Sequence, residues 1–308
     1  MALVPSTVRL IEALNPPSQA CLMTDQPLAA GLYLAPSPIG HLGDLSLRLI
    51  QVLGQADLVA AEDTRRALKL LNHLSLAKPL ISYREQNHQR AWPRIESGLA
   101  HGGRVALLSD AGAPVIADPG AKLVQAAREA GYAIWPLPGP SAVVTALMAS
   151  GFWAERFVFG GFLPEKAQER ERLIRKLDAL GFLMVFFEAP HRLLASLNDL
   201  ARILGDRSAL LAREMTKVHE EYLRADLTEI LASVTANPRK GEITLVIAPG
   251  ETKRASEEEP DWANLAALVK TDPRPLGQVA AELAESLGRS KKEVYAQLVK
   301  NLKPVKEE

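Results

Sequence analysis

From Gly31 onward, short apolar runs alternate with stretches whose apolar residues recur at helical spacing. The run 32–35 predicts a buried strand, and the segment 45–52 predicts a helix. Strands that are apolar on both faces and alternate with helices are typical of a mostly parallel sheet covered on both sides. Further strands are predicted at 57–61, 79–83, 105–108 and 133–137. Further helices are predicted at 64–74, around Pro93, at 119–130 and after Pro140, and Pro93 is expected to interrupt its helix.

A second alternating set begins near Phe157. One of its predicted helices has Pro190 in its first turn and Gly205 just past its end, which are favoured positions for these residues. The boundary between the two sets is predicted at 150–155. The other predicted elements are a highly charged helix at 165–180 and strands at 158–161, 183–187, 209–212, 221–224 and 243–247.

The two ends of the chain differ from these sets in composition. The first 29 residues are rich in proline, serine and small residues, and 251–260 is polar, acidic and proline-terminated, as linkers are. Apolar residues at helical spacing predict two short helices at 276–287 and 291–302. The predicted organisation is a lead-in at 1–29, α/β domains at 30–150 and 151–250, a linker at 251–260 and a helical domain at 261–308.

Composition narrows the class of protein. Lys plus Arg and Asp plus Glu both number 36, so the net charge gives no sign of a nucleic-acid partner, although a local basic patch is compatible with one. The single cysteine, Cys21, excludes an internal disulfide and a thiolate zinc site. No apolar run approaches the roughly 18–20 residues of a membrane span. Glu12, Pro16 and Pro17 stand where a signal peptide is apolar, so a cytoplasmic protein is expected.

Four loops that follow predicted strands carry most of the candidate chemistry, because ligands bind at the carboxyl ends of strands in open α/β sheets. They are the Gly- and Pro-rich loop 36–44, the loop 109–120 with two aspartates, the rigid turn 138–142 before a helix of small residues, and the charged turn 187–192. Structural interpretations compete: a tight turn for the first, close helix–sheet packing for the third, and an exposed helical turn for the fourth.

Asp118 and Asp110, both in the second loop, have different expected roles. Asp118 is expected to cap a helix that starts at Pro119, whereas no such structural role is visible for Asp110. The charged segments 62–66 and 213–217 also end predicted strands, and charge-pair capping is an alternative to function for both.

These segments occur together in a specific order. Across roughly 31–250 the chain closely resembles the bacterial ribosomal RNA small subunit methyltransferase I family, and its terminal helix pair resembles the small C-terminal domain of that family. The matching motifs are SPIGHLGD (37–44), AEDTR (61–65), LSDAGAP (108–114), DPG (118–120), PGPSA (138–142), GFLP (161–164), FEAPHR (187–192), AREMTK (212–217) and HEE (219–221).

The resemblance implies a fold, a reaction and partners. The fold is the two-domain α/β tetrapyrrole-methylase-like fold of class III methyltransferases, with S-adenosylmethionine bound between the domains. The reaction is 2′-O-methylation of the ribose of a cytidine in the decoding region of 16S rRNA, within the 30S subunit, by a homodimer. The implied cofactor contacts are Ile39, Gly40, Ser109, Asp110, Ala111, Ser141, Ala142, Glu188, Ala248 and Pro249.

Methyl transfer from a sulfonium is an in-line displacement that depends mostly on alignment. A ribose 2′-OH is a better nucleophile when a nearby carboxylate or histidine accepts its proton, and the candidates are Asp110, Glu62 and His191. Asp110 could equally contact the cofactor alone. No metal-ligand cluster is apparent in the sequence, so no metal is expected.

RNA binding requires local basic groups, since the chain as a whole is neutral. For the charged helix at 165–180, a solvated face with i,i+4 ion pairs is the alternative. The RNA-binding candidates are Arg65, Arg84, Arg170, Arg192 and Lys217.

Other functions also fit parts of the sequence. A tetrapyrrole C-methyltransferase of the precorrin type shares the implied fold. A regulator could sense the cofactor and bind nucleic acid through the C-terminal helix pair, and an inactive relative could bind the cofactor alone.

Overall fold

The computed structural model describes residues 27–250, 260–270, 272–287 and 289–302. They form two compact units, of which the first ends at Ala248 and the second begins at Pro249. Most of the predicted lead-in and all but the last residue of the predicted linker lie outside the described residues.

Within 27–150, which is described throughout, the chain forms one sheet of five strands. All its pairings are parallel, in the order β3-β2-β4-β1-β5, which confirms the mostly parallel sheet predicted from the apolar runs. Ala35 and Ala61 both pair with Leu108, so the carboxyl ends of three strands lie side by side. The strands are β1 (Gly31–Ala35), β2 (Leu58–Ala61), β3 (Leu80–Ser82), β4 (Arg104–Leu108) and β5 (Ile134–Pro136).

Helices cover both faces of this sheet. Tyr33 and Val59 pack with α1 and α2 on one face, while Leu32 and Leu58 pack with α3 and α4 on the other. The three inner strands β2, β4 and β1 are therefore buried on both sides, which is why their sequences are apolar runs, whereas the edge strands β3 and β5 are only partly buried. The helices are α1 (Leu47–Gln55), α2 (Thr64–His73), α3 (His88–Ala100) and α4 (Ala121–Glu129).

The helix that contains Pro93 is continuous, so the predicted interruption is wrong. A proline inside a helix removes one backbone donor and crowds the carbonyl four residues earlier. Here Ala91, Ile95 and Leu99 pack into the core on either side of the proline, and this burial holds the helix together across it.

Within 151–250, also described throughout, a second sheet has the order β6-β7-β10-β8-β9. Only the β6–β7 pairing in it is parallel. Its elements are β6 (Phe157–Phe162), α6 (Ala167–Asp178), β7 (Leu183–Glu188), α7 (Leu193–Leu204), β8 (Ser208–Arg213), β9 (Glu221–Asp226), α8 (Leu227–Ala236) and β10 (Ile243–Ile247).

Two details of this half differ from the sequence prediction. Pro190 lies in the turn before α7 rather than in its first helical turn, because the helix begins only at Leu193. Helix α8 was not predicted; its Leu227, Ile230 and Val234 are buried against the second sheet.

The helix α5 (Ala142–Ser150) joins the two halves. It follows the last strand of the first sheet, yet its buried residues Val143, Ala146 and Leu147 pack with Leu183 and Val246 of the second sheet. Its small side chains therefore serve close helix–sheet packing, which is the structural interpretation considered above.

Arg170 is a structural residue, and its prediction as an RNA contact is wrong. The residue is only 5% exposed, and its guanidinium donates to Asp199 Oδ2 at 2.5 Å and to the carbonyls of Pro164 and Glu165 at 3.0 and 2.9 Å. A buried guanidinium requires such partners, and those it has here leave it unavailable to a phosphate.

The second unit consists of α9 (Trp262–Lys270), α10 (Leu276–Leu287) and α11 (Lys291–Leu302). Its core includes Trp262, Ala280 and Leu298. The helices α10 and α11 have the predicted bounds, whereas α9 was not predicted. In the part of the chain that the structure describes, no helix has the length and apolar character that crossing a membrane requires.

The buried pair formed by Arg170 and Asp199 generates a stability prediction. Replacing Arg170 with Leu should lower the free energy of unfolding by about 3 kcal/mol, because Asp199 and two carbonyls lose a buried donor. Urea unfolding of the full chain measures this change. Arg172→Leu, at an exposed position on the same helix, is the control and should change stability by less than about 0.5 kcal/mol. Equal effects of the two variants would contradict the structural role of Arg170.

Candidate active site

A cleft of about 430 Å³, here called the main cleft, lies where the two α/β halves meet. The first half contributes loops that follow β1, β2, β4 and β5, and the second contributes the ends of β6 and β7 and the start of β10. The parallel register of the first sheet brings its loops to one edge. The lining includes Ile39, Glu62, Arg66, Asp110, Ala111, Ile116, Asp118, Ser141, Ala142, Val143, Phe162, Phe187, Glu188, Glu242, Ile243 and Thr244.

A second cavity of about 360 Å³, here called the side cavity, adjoins the main cleft. The residues that line both spaces are Ile39, Arg66, Asp110, Ala111 and Glu242. Of the expected cofactor contacts, those in the main cleft are Ile39, Asp110, Ala111, Ser141, Ala142 and Glu188, and those in the side cavity alone are Gly40 and Ser109.

Ala248 and Pro249, which were expected to close the pocket, are not among the residues that line either space. The strand before them, β10, is antiparallel to β7: Ile243 pairs with Glu188, and Ile247 pairs with Met184. An antiparallel strand presents its amino end where its neighbour presents its carboxyl end. The start of β10 therefore faces the main cleft, and its end lies at the opposite edge of the sheet.

Asp110 and Asp118 are both held by hydrogen bonds. Asp110 Oδ1 accepts from the backbone N–H of Asp63 at 3.0 Å, and its Oδ2 lies 3.9 Å from Arg66 Nε. Asp118 Oδ2 accepts from the Ser109 hydroxyl at 2.7 Å, and burial raises the pKa of Asp118, with Asp110 adding to the rise. These bonds fix the loop after β4 against the end of the sheet.

The expected capping role of Asp118 is wrong. The helix α4 starts at Ala121, and its N-cap is Gly120, at a φ of 140° that a side chain would strain. Two non-glycine residues of the same loop, Val115 and Ala117, also have positive φ, at 75° and 59°. Such conformations are uncommon outside glycine, and they lie beside the main cleft.

Glu188 is a buried carboxylate in the wall of the main cleft, with a side chain that is 0% exposed. It accepts from the backbone N–H of Ala189 at 2.7 Å, from the Ser196 hydroxyl, and from Arg192 Nη2 at 3.1 Å. Arg192 also reaches Glu165 at 3.4 Å. The arginine thus neutralises a buried charge, as buried carboxylates require, rather than projecting as an RNA contact.

The loop after β1 touches the second half directly. A Cβ on Gly40 would lie 2.5 Å from Lys217 Cγ and 2.6 Å from Thr216 Oγ1, so only glycine fits there. The next backbone N–H, of His41, donates to Thr216 Oγ1 at 3.0 Å. Thr216 itself has a φ of 64°, which places its hydroxyl at this contact at some cost in backbone strain.

Lys217 is tied to carboxylates at the same contact. Its ammonium lies 2.9 Å from Glu214 and 3.0 Å from Glu242. Burial alone would lower the pKa of Lys217, but the two hydrogen bonds raise it above its usual value, so the lysine stays charged. The positive charge of Lys217 is therefore balanced by carboxylates of the protein itself.

Glu62 differs from the other carboxylates of the main cleft. Within the described residues its side chain has no hydrogen bond or ion pair, whereas Asp110, Asp118, Glu188 and Glu242 each have a partner. Burial raises the pKa of Glu62, and the negative charges of Asp110 and Asp118 raise it further. A partly buried, unpartnered carboxylate with a raised pKa is suited to accept a proton near neutral pH.

Three further predicted residues lie outside these spaces. His191 is exposed and lines neither the main cleft nor the side cavity. Arg65 is 86% exposed at its side chain and pairs with Asp63 at 2.7 Å. Arg84 is exposed on the surface beside the first sheet. His191 therefore does not meet the geometric requirement for a proton acceptor in the cleft.

Sequence reasoning missed three basic residues on α2. Arg66, Lys69 and His73 all line the side cavity. Their spacing of three and then four residues, which places them on one face of a helix, was the available signal. Among the described residues, no group of three or more His, Cys, Asp or Glu side chains is arranged to hold a metal ion.

The sequence model of the tetrapyrrole (corrin/porphyrin) methylases matches residues 31–231 of the chain. The likeness extends to solved structures. Diphthine synthase superposes with a TM-score of 0.58 at 15% identity, covering 70% of this chain and 89% of that one. The cobalamin biosynthetic enzyme cobalt precorrin-4 methyltransferase superposes with a TM-score of 0.53 at 15% identity, covering 70% and 94%. At such identities the structures show a shared fold.

Curated relatives are much more similar in sequence. The ribosomal RNA small subunit methyltransferase I of Escherichia coli O157:H7 is 41% identical over 269 residues, which cover 86% of this chain and 93% of that protein. The protein of the same name from Synechocystis sp. is 41% identical over 268 residues, covering 86% and 95%. Tetrapyrrole methylation is the less supported alternative, because the solved precorrin enzyme shares only 15% identity. The chain therefore belongs to the tetrapyrrole methylase family and, within it, to the ribosomal RNA small subunit methyltransferase I family.

Proposed function

We propose that the chain transfers a methyl group from S-adenosylmethionine to the ribose 2′-oxygen of a cytidine in the decoding region of 16S rRNA. The reaction takes place in the cytoplasm on the 30S subunit. The observation that carries the proposal is the main cleft itself, where seven of the nine motifs that resemble those of the rRNA methyltransferases meet around Glu62, an unpartnered carboxylate among the described residues.

The main cleft suits the methyl donor in size and in chemistry. A space of about 430 Å³ lies within the range of small-molecule sites. One wall is apolar, with Ile39, Ala111, Ala142 and Val143 available to a planar base. The lining also carries carboxylates, which favour a ligand with a sulfonium and an ammonium charge. When bound, the donor supplies an electrophilic methyl group.

Asp110 and Glu62 have separate roles in this proposal. The Asp110 carboxylate is oriented by the Asp63 N–H and holds the polar part of the donor. Glu62 accepts the proton of the ribose hydroxyl as the oxygen attacks, which typically contributes about 10²–10⁴-fold in rate. Alignment of the two substrates and exclusion of water by the closely apposed halves provide the rest.

The role of Asp110 predicts a binding defect. Asp110→Ala should raise the calorimetric Kd for S-adenosylmethionine about tenfold or more, since a charged hydrogen-bonding group is lost. Asp44→Ala, at an exposed position that lines neither space, is the matched control and should bind as the wild type does.

Methyl-transfer assays with the wild-type chain test the reaction as a whole. Wild-type chain should transfer labelled methyl from the donor to 30S subunits that lack the modification, and should not label a precorrin. Labelling of the precorrin alone would replace the proposed substrate, and an unchanged Kd for Asp110→Ala would remove Asp110 from the donor site.

The role of Glu62 predicts a pH effect. As the base, Glu62 must be ionised, so the wild-type rate should fall as pH drops through its raised pKa. Glu62→Gln should be about 10²–10⁴-fold slower in kcat and lose this acid limb. Glu96→Gln, on α3, is the control and should keep both rate and pH profile.

Glu62 should also weaken the fold at neutral pH. Its pKa is raised in the folded state, so ionisation is disfavoured there and the destabilisation is present above that pKa. Glu62→Gln should therefore melt at a higher temperature than the wild type at pH 7, with the difference fading below about pH 4. If the Glu62→Gln variant keeps the wild-type kcat, Glu62 is excluded as the base.

We also propose a homodimer formed through the outer face of α5. Val144 and Met148, one turn apart, are 51% and 79% exposed, and the nearby Trp153 is 87% exposed. Contiguous exposed apolar side chains are typical of an interface, and a second copy of the chain is the occupant that the family implies.

Light scattering tests this assembly. The full chain should have the mass of a dimer, and Met148→Glu with Trp153→Ser should convert it to a monomer because a charge enters the apolar contact. Leu180→Glu, at an exposed apolar residue outside this face, should leave the dimer intact. A wild-type chain that has monomer mass at micromolar concentration would contradict the proposal.

A further inference from the structure

The side cavity shares part of its lining with the proposed donor site and opens onto it, and two of the expected donor contacts, Gly40 and Ser109, line the side cavity alone. Arg66 and Asp110 line both spaces, so a molecule in the side cavity reaches the reacting end of the main cleft. Glu62 lies close enough to both residues for their charges to shift its pKa in opposite directions. The proposed proton acceptor is therefore next to the junction of the two spaces.

One wall of the side cavity is basic and unmatched by acidic side chains. Arg66, Lys69 and His73 share the face of α2 that lines it. Within the described residues, Lys69 and His73 form no ion pair, and Arg66 has only the 3.9 Å approach to Asp110. Basic side chains that lack internal partners are free to bind a phosphate. Lys217, which also lines the cavity, is already neutralised by Glu214 and Glu242.

A buried hydroxyl in the same cavity lacks a partner. Ser37 is 4% exposed, and its backbone is satisfied by an antiparallel bridge to Gly112 at 3.0 and 2.9 Å. Its Oγ has no hydrogen-bond partner in the described part of the chain. An unpaired buried hydroxyl is costly to the free protein, so a polar group of a ligand is the natural partner for it.

The loop after β1 forms an apolar part of the lining, here called the apolar wall. It contributes Pro38 and Leu42, of which Leu42 is 46% exposed, and Leu70 of α2 adds a further apolar side chain. A flat base can lie against such a surface. The side cavity thus offers an apolar surface, a buried hydroxyl and a row of basic side chains within one space beside the donor cleft.

We infer that the side cavity binds the acceptor nucleotide of the RNA, and this inference rests on the proposed function. The phosphate backbone lies along Arg66, Lys69 and His73 of α2. The base lies against the apolar wall, and Ser37 Oγ hydrogen-bonds to the nucleotide. The ribose then faces the junction at Arg66 and Asp110, where its 2′-hydroxyl meets the methyl donor and Glu62.

The basic face is tested with Lys69→Ala combined with His73→Ala in the full chain. The KM for 30S subunits that lack the modification should rise about tenfold, because phosphate contacts are lost. The slope of the logarithm of the binding constant against the logarithm of the salt concentration should become less steep by about one to two. The kcat at saturating subunits and the Kd for S-adenosylmethionine should stay within twofold of the wild-type values.

The control removes two equally exposed cations from the opposite edge of the protein. Arg128 lies at the end of α4 and Lys176 near the end of α6, and crossover helices run from the ligand-binding edge of a sheet to the far edge. Arg128→Ala with Lys176→Ala should keep the wild-type KM. Equal KM values for the two double variants would overturn the inference.

Ser37→Ala separates a ligand contact from a structural one. Because Ser37 Oγ has no partner among the described residues, its removal should raise the melting temperature of the free protein. The same variant should raise the KM for the subunits severalfold and leave the donor Kd unchanged. A lower melting temperature with an unchanged KM would show that the hydroxyl serves the fold.

Assays of the wild type and of the double variant together separate where the nucleotide binds from whether the chain methylates RNA. If the wild type binds the donor and methylates the subunits while the Lys69 and His73 double variant is unaffected, only the location of the nucleotide is wrong. If the wild type does neither, the proposed function itself is wrong.

Discussion

The close approach of the two α/β halves at Gly40 is the constraint on which the rest of the site depends. With no Cβ at this position, the loop after β1 comes against Thr216 and Lys217 of the second half, and the His41 N–H donates across the contact. The helix α5 adds a second connection by packing its buried face on the second sheet. Strand-end loops from one half and β7 and β10 from the other then enclose the main cleft. Without this apposition the carboxylates would face open solvent.

The charges around the cleft follow from that enclosure. Each carboxylate held between the halves needs a partner, and Glu188 and Glu242 have Arg192 and Lys217. Asp110 and Asp118 are held by donors of the loops themselves. Glu62 lacks such a partner among the described residues, and its pKa is raised by burial and by its acidic neighbours. The protein thus keeps one carboxylate in a state that costs stability, as catalytic groups often do.

Much of the fold could be predicted from the sequence because it follows from local patterns of apolar and polar residues. Strands buried on both faces appear as apolar runs, and the Gly- and Pro-rich loops after them mark the edge where Asp110, Ser141 and Glu188 meet. Strand direction is not local: nothing in the run 243–247 shows that β10 is antiparallel, and the misplacement of Ala248 follows from this.

Ion pairs and hydrogen bonds between side chains far apart in the chain are equally hard to predict from the sequence. Arg170 looks like any other charged helix residue until Asp199, 29 residues later, lies against it. Asp118 resembled a helix cap because its true partner, Ser109, comes from the start of the same loop. The basic face of α2 had a readable periodicity, but its importance depends on the cavity beside it.

We propose that this enclosed cleft methylates one ribose of 16S rRNA. The decisive experiment is mass-spectrometric mapping of ribose methylation in a bacterial strain that lacks its own ribosomal RNA small subunit methyltransferase I and receives this chain. The single 2′-O-methyl cytidine missing from the decoding region should return. If the folded chain is present in the strain and the cytidine stays unmethylated, the proposed reaction is wrong.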